Sequence, residues 1–139
     1  MQLDDSFYVE AINDFKNSFR QIFADEMILN NEYCFFETRG RFKLNYKFRP
    51  LNYNVIVENE LRTFTIMIED SEKAKNSLYR IENFDNQLCK RNIENSLKIL
   101  KKVLDRNEFD LFIYCDSKLY KKNSNGVKRV KDMRELTRQ

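Results

Sequence analysis

Apolar residues at the start of the chain recur at steps of three and four. Tyr8, Ile12, Phe15, Phe19, Ile22 and Phe23 fall on one stripe, which predicts an amphipathic helix over 6–29. Asp4, Asp5 and Ser6 supply oxygens for its N-terminus, and Asn30-Asn31 supplies a stop, since Asn tolerates the left-handed conformation. The period then changes to two. Residues 33–38 form a dense aromatic run. Over 41–48, Phe42, Leu44, Tyr46 and Phe48 alternate with Arg41, Lys43, Asn45 and Lys47, so one face of this strand is apolar and the other basic. Gly40 between the two runs suits a hairpin turn or a bulge. Pro50 breaks the pattern because it has no ladder donor. Two further strands are expected at 53–57 and 61–69, joined by Glu58-Asn59-Glu60, with Phe64, Ile66 and Ile68 facing the core.

Residues 71–83 carry a thin helical stripe of Ala74, Leu78 and Ile81. Asp85-Asn86 can cap a stronger helix reaching about residue 107, striped by Cys89, Ile93, Leu97, Leu100 and Leu104. A strand at 109–115 follows, then a hairpin of 118–122 and 127–131 turning at Asn125-Gly126, then a short helix at 132–138. Segregated helices and meandering strands predict an α+β fold, one domain over 1–139, with an antiparallel sheet and helices on one face. In element order alone, helix, three strands, helix, the chain is similar to a double-stranded-RNA-binding domain.

Composition narrows the class. Aromatics make up 14% of the 139 residues, with 12 Phe and 7 Tyr, which argues against disorder. Two Gly and one Pro exclude collagen-like and low-complexity chains. Apolar runs are too short to cross a bilayer, and the acidic N-terminus lacks a signal-peptide pattern. A soluble cytoplasmic protein, with no membrane partner, is therefore expected. The chain has no His, which removes Ser-His-Asp and Cys-His catalysis and the commonest metal ligand. Cys34, Cys89 and Cys115 form neither a C-x-x-C motif nor a zinc knuckle. Cys34 and Cys115 lie in strand-like apolar runs and are expected to be buried packing thiols, consistent with a reducing compartment.

The net charge of +3 conceals a segregated distribution. Residues 1–32 carry −5, 33–50 carry +4, 51–72 carry −4, 73–117 carry +2 and 118–139 carry +6. Two basic clusters follow. One comprises Arg39, Arg41, Lys43, Lys47 and Arg49; the other comprises Lys118, Lys121, Lys122, Lys128, Arg129, Lys131, Arg134 and Arg138. Gathered on a surface, such side chains attract phosphates. Tyr46, Tyr53, Tyr114 and Tyr120 are near enough in sequence to offer stacking surfaces. The same charges also suit a solvated face that guards sheet edges.

Candidate chemistry is sparse. Glu69, Asp70 and Glu72 stand at a predicted strand-to-helix junction, where acids cap a helix or hold a divalent cation through oxygen. Asp110 and Asp116 bracket a strand. No Gly-rich phosphate loop or nucleophile elbow is present. Binding rather than catalysis is expected, with no cofactor and no metal. The docking set is Arg39, Arg41, Lys43, Tyr46, Lys47, Arg49, Tyr53, Lys121, Lys122, Lys128, Arg129 and Lys131.

The stretch 93–104, the strand run 109–114 and the Lys-rich hairpin ending at Asp132, together with 16 Asn, resemble accessory proteins of phages and mobile elements from AT-rich bacteria. The helix, meander, helix, hairpin order is similar to some small anti-CRISPR proteins. That resemblance implies an inhibitor of a bacterial RNA-guided nuclease, contacting the enzyme or its guide RNA in the host cytoplasm. Some such inhibitors imitate DNA with acidic surfaces, whereas the clusters here are basic. A free-standing RNA- or DNA-binding regulator is the alternative, and a toxin-immunity protein, favoured only by the acidic N-terminal segment, is a third.

Overall fold

The computed structural model describes residues 5–37 and 40–131. Among them the chain forms helix α1 (Asp5–Phe23), a 3-10 turn (Ala24–Glu26), β1 (Met27–Phe35) and β2 (Arg41–Phe48). A second 3-10 turn (Arg49–Leu51) precedes β3 (Tyr53–Glu60), β4 (Thr63–Glu69) and β5 (Lys75–Ser77). The helices α2 (Leu78–Ile81) and α3 (Lys90–Arg106) lead to β6 (Leu111–Cys115), β7 (Lys118–Asn123) and β8 (Gly126–Arg129). The fold is α+β. All eight described strands join one sheet in sequence order, every neighbouring pair antiparallel.

The alternation in β2 sets which face is covered. Phe42, Leu44, Tyr46 and Phe48 are buried, as are Val55 and Val57 of β3 and Phe64, Ile66 and Ile68 of β4. The α1 stripe packs on them: Phe15 lies edge-on to Phe42 and Phe64, Phe19 stacks on Tyr46 with centroids 3.9 Å apart, and Phe23 meets Phe48. Ile93, Leu97, Leu100 and Leu104 of α3 complete the same apolar cluster. The other face of the sheet carries Arg41, Lys43, Asn45 and Lys47, with Glu58, Ile56 and Asn54 opposite the last three on β3. Two loops are pinned by buried Asn59, whose Oδ1 accepts from the Phe42 amide at 2.7 Å. Its Nδ2 donates to the carbonyls of Gly40 and Leu61.

Several boundaries differ from the expectation. The first helix stops at Phe23 rather than 29, because Ala24 takes a positive φ and 27–29 pair with β2. Asn30 therefore sits at a bulge inside β1, and is no helix stop. Gly40 closes the β1–β2 turn, its amide bonded to the Phe36 carbonyl. The β3–β4 turn lies at Leu61-Arg62, after Glu60 pairs with Thr63, and not at Glu58-Asn59-Glu60. The expected helix at 71–83 is mostly absent: β5 pairs with β4 there, and only a single turn, α2, follows, capped by Ser77. The longer helix begins at Lys90, and the last turn lies at Ser124-Asn125, with Gly126 already paired to Asn123. Cys34, Cys89 and Cys115 are all exposed, correcting the expectation for Cys34 and Cys115, because Cys34 lies on the edge strand β1 and Cys115 is the last residue of β6, beside the turn into β7. The helix expected at 132–138 lies outside the described residues.

Candidate functional site

Strand alternation divides the expected docking residues between two faces. Arg41, Lys43 and Lys47 lie together on the face opposite the helices. Arg41 stands 3.8 Å from Glu58, and Lys47 donates to Asn52. Arg49 is exposed in the 3-10 turn, where its guanidinium donates to the Asp25 carbonyl. Arg39 lies outside the described residues, as do Arg134 and Arg138.

Two tyrosines do not belong to a docking surface. Tyr46 is 4% exposed and stacked on Phe19, and burial pushes its phenol well above the ordinary range. It shares the parity of Phe42 and Leu44, so the same alternation that exposes Lys43 buries it. Tyr53 is half-buried against Phe109, on the helix side, with its hydroxyl donating to Asn107 at 2.9 Å. Burial raises its phenol as well.

The C-terminal cluster is also divided. Lys121 and Lys128 are directly opposite each other on β7 and β8, on the helix-free face. Lys122 points to the other side and is neutralised. Its ammonium lies 2.7 Å from Asp70 and also bonds Glu72, and those bonds, Asp70 first, raise its pKa against the opposing effect of burial. Arg129 lies opposite Tyr120, again on the helix side, while Lys131 is exposed beyond β8. The acids Glu69, Asp70 and Glu72 cap no helix. Asp70 Oδ1 accepts from the amides of Glu72 and Ala74, which closes the turn into β5. Among the described residues no group of three or more Cys, Asp or Glu is placed to hold a metal ion.

What the fold assembles instead is a groove near the middle of the sheet. The strand β5 is three residues long and registers with β6 through the single pair Lys75–Phe112, so the sheet opens at this joint. A cavity of about 790 Å³ results, lined by Met67, Lys73, Lys75, Ser77, Arg80, Phe112, Tyr114 and Leu119 among others, with no acid in its wall. Lys73, Lys75 and Arg80 make no ion pair among the described residues. Glu69, opposite Lys75, accepts from Asn54 instead. Tyr114 is 72% exposed. Lys121 is the cross-strand neighbour of Phe112, so Lys75, Phe112, Lys121 and Lys128 form a row across β5–β8.

Lys73, Lys75, Arg80 and Phe112 were not legible as site residues. Their segment is nearly charge-balanced, and only the sheet register brings them beside Lys121. The two basic sets share one face but not one place. With strands ~4.8 Å apart, β2 and β7 are separated by about 24 Å along the sheet. Compared with models of known protein families, with curated proteins and with solved structures, the chain matches none.

Proposed function

We propose that this protein acts by binding, and that its ligand is the phosphate backbone of a nucleic acid held on the helix-free face of the sheet. One observation carries the reading: the β5–β6 groove gathers Lys73, Lys75 and Arg80 without an acid in its wall, and Lys121 and Lys128 extend the same row. Unpaired cations release counterions when they meet phosphates, and a half-open apolar floor lowers the local dielectric around them. An acidic protein surface would need a fixed mate for each cation, whereas a flexible phosphate chain adapts to the groove.

The test is binding of a labelled oligonucleotide across a salt series. Affinity falls as salt rises, and Lys75→Ala with Arg80→Ala lowers the slope of log K against log salt by roughly 1.4, about 0.7 for each lost single-strand contact. No binding at low salt overturns the reading. Inhibition of a bacterial RNA-guided nuclease is the use of such a surface that the resemblance implies: a basic face would lie along guide RNA or target strand rather than imitate DNA. That second reading is tested by a cleavage assay with purified nuclease, in which the same two substitutions relieve inhibition.

A further inference from the structure

At the β1 end of the same face, two aromatic side chains and two cations form a block. Tyr33 and Phe35 are alternate residues of edge strand β1, 42% and 52% exposed, with rings 5° from parallel and centroids 6.2 Å apart. Across the strand pair, Tyr33 faces Lys43 and Phe35 faces Arg41. These four residues, with Asn45 and Glu58, line a cavity of about 500 Å³. Asn45 carries a buried Oδ1 without a hydrogen-bond partner. Rings of this kind are ordinarily placed in a core; the bulge and Glu32 guard the first part of edge strand β1, whereas its Tyr33–Phe35 end carries neither Lys nor Pro.

We infer that this block is a nucleobase site, in which Tyr33 and Phe35 stack unpaired bases while Arg41 and Lys43 hold the adjoining phosphates, so that the ligand of the face is single-stranded. This rests on the reading of that face as a nucleic-acid surface. Stacking accepts any base because every base has a π-face, and an open sheet bearing exposed aromatics is a recurring way to hold splayed bases. Glu58 adds an acceptor, which suits the amino and imino donors on base edges and not a second phosphate. A strand leaving the β5–β6 groove crosses Met67 on β4 and Ile56 on β3, both uncharged, and reaches the block, four strand spacings away, after about 19 Å.

The experiment compares four probes on the full chain at fixed salt: a single-stranded 12-mer, an abasic 12-mer with the same phosphates, a duplex of the same sequence, and polyglutamate. The base-bearing single strand is expected to bind about ten-fold or more tightly than the abasic one. Tyr33→Ala with Phe35→Ala removes that margin and leaves the salt slope unchanged; Tyr33→Leu with Phe35→Leu, which keeps apolar bulk on the edge strand, does the same. If the abasic strand binds equally, or the duplex binds better, the base site is overturned while phosphate binding stands. If none of the nucleic acids binds, or polyglutamate binds as well as they do, the underlying reading fails.

Discussion

Gly40 and Asn59 show how much can depend on a single side chain, or on the lack of one. Gly40 has φ +69°, and a Cβ there would stand 2.1 Å from the ring of Tyr8, itself in the core. Neither condition can be relaxed cheaply, since the ring is packed and the turn is closed by the Gly40 amide. Gly40→Ala is expected to cost about 2–4 kcal/mol, from overpacking and the left-handed conformation together. Asn59 binds three backbone groups, the Phe42 amide in β2 and the Gly40 and Leu61 carbonyls in two different turns. Asn59→Asp keeps the acceptor but loses both donors, and places a charge where the residue is 2% exposed. A loss of about 3 kcal/mol is expected, against less than 1 kcal/mol for Asn125→Asp in the exposed last turn. Chemical denaturation of the three variants checks these values.

Among the elements, the joint between β5 and β6 is the weakest in the sheet, since one registered residue pair connects two halves of the meander. Side chains reinforce it. Lys122 of β7 reaches Asp70 and Glu72 in the turn before β5, Asn76 donates to the Asp110 carbonyl, and Asn123 donates to the Asp110 carboxylate. Lys122→Met keeps the stem and removes the charge. It should cost about 1–2 kcal/mol, because Asp70 is nearly buried, and should raise amide exchange in β6–β8 above that in β2–β4. The pH dependence has a definite sign. The folded pKa of Lys122 is raised above its ordinary 10.5, so the stability it contributes is complete below that value and is lost as pH rises through the folded pKa. As pH rises above about 10.5 the wild type should lose more Tm than Lys122→Met. Lys101, raised chiefly by its bond to Glu26, adds to the same alkaline loss in both proteins.

For the whole molecule, the division of labour is between two faces. The helices bury one side of the sheet; the other carries cations at two stations, separated on β3 and β4 by the uncharged Asn54, Ile56, Thr65 and Met67 and by the acids Glu58 and Glu69. The two stations make different predictions. Removing Lys75 and Arg80 changes the salt slope, whereas removing the Tyr33 and Phe35 rings changes affinity at constant slope. Charge reversal at Lys128, beside Lys121, should weaken oligonucleotide binding several-fold. Reversal at Arg129, one residue on but facing the helix side, should leave it within two-fold, as filter binding would measure.

The helix-versus-strand order, the α+β class and the apolar stripe of β2 were legible because they depend on periods of 3.6 and 2, which a sequence displays directly. Within β2 the same alternation separated Arg41, Lys43 and Lys47 from Phe42, Leu44 and Phe48, and it already argued against Tyr46 as an anchor. Where local pattern was thin, neighbours decided. Residues 75–77 became a strand because β4 offered an edge, and 27–29 left the helix to pair with β2. Register, which a chain cannot state about strands distant in sequence, placed Lys75 beside Phe112 and Lys121, turned Lys122 and Arg129 to the other side, and left Tyr33 and Phe35 in the open. Composition and periodicity are properties of neighbouring residues; the grouping of side chains on a face is a property of how strands are laid against one another.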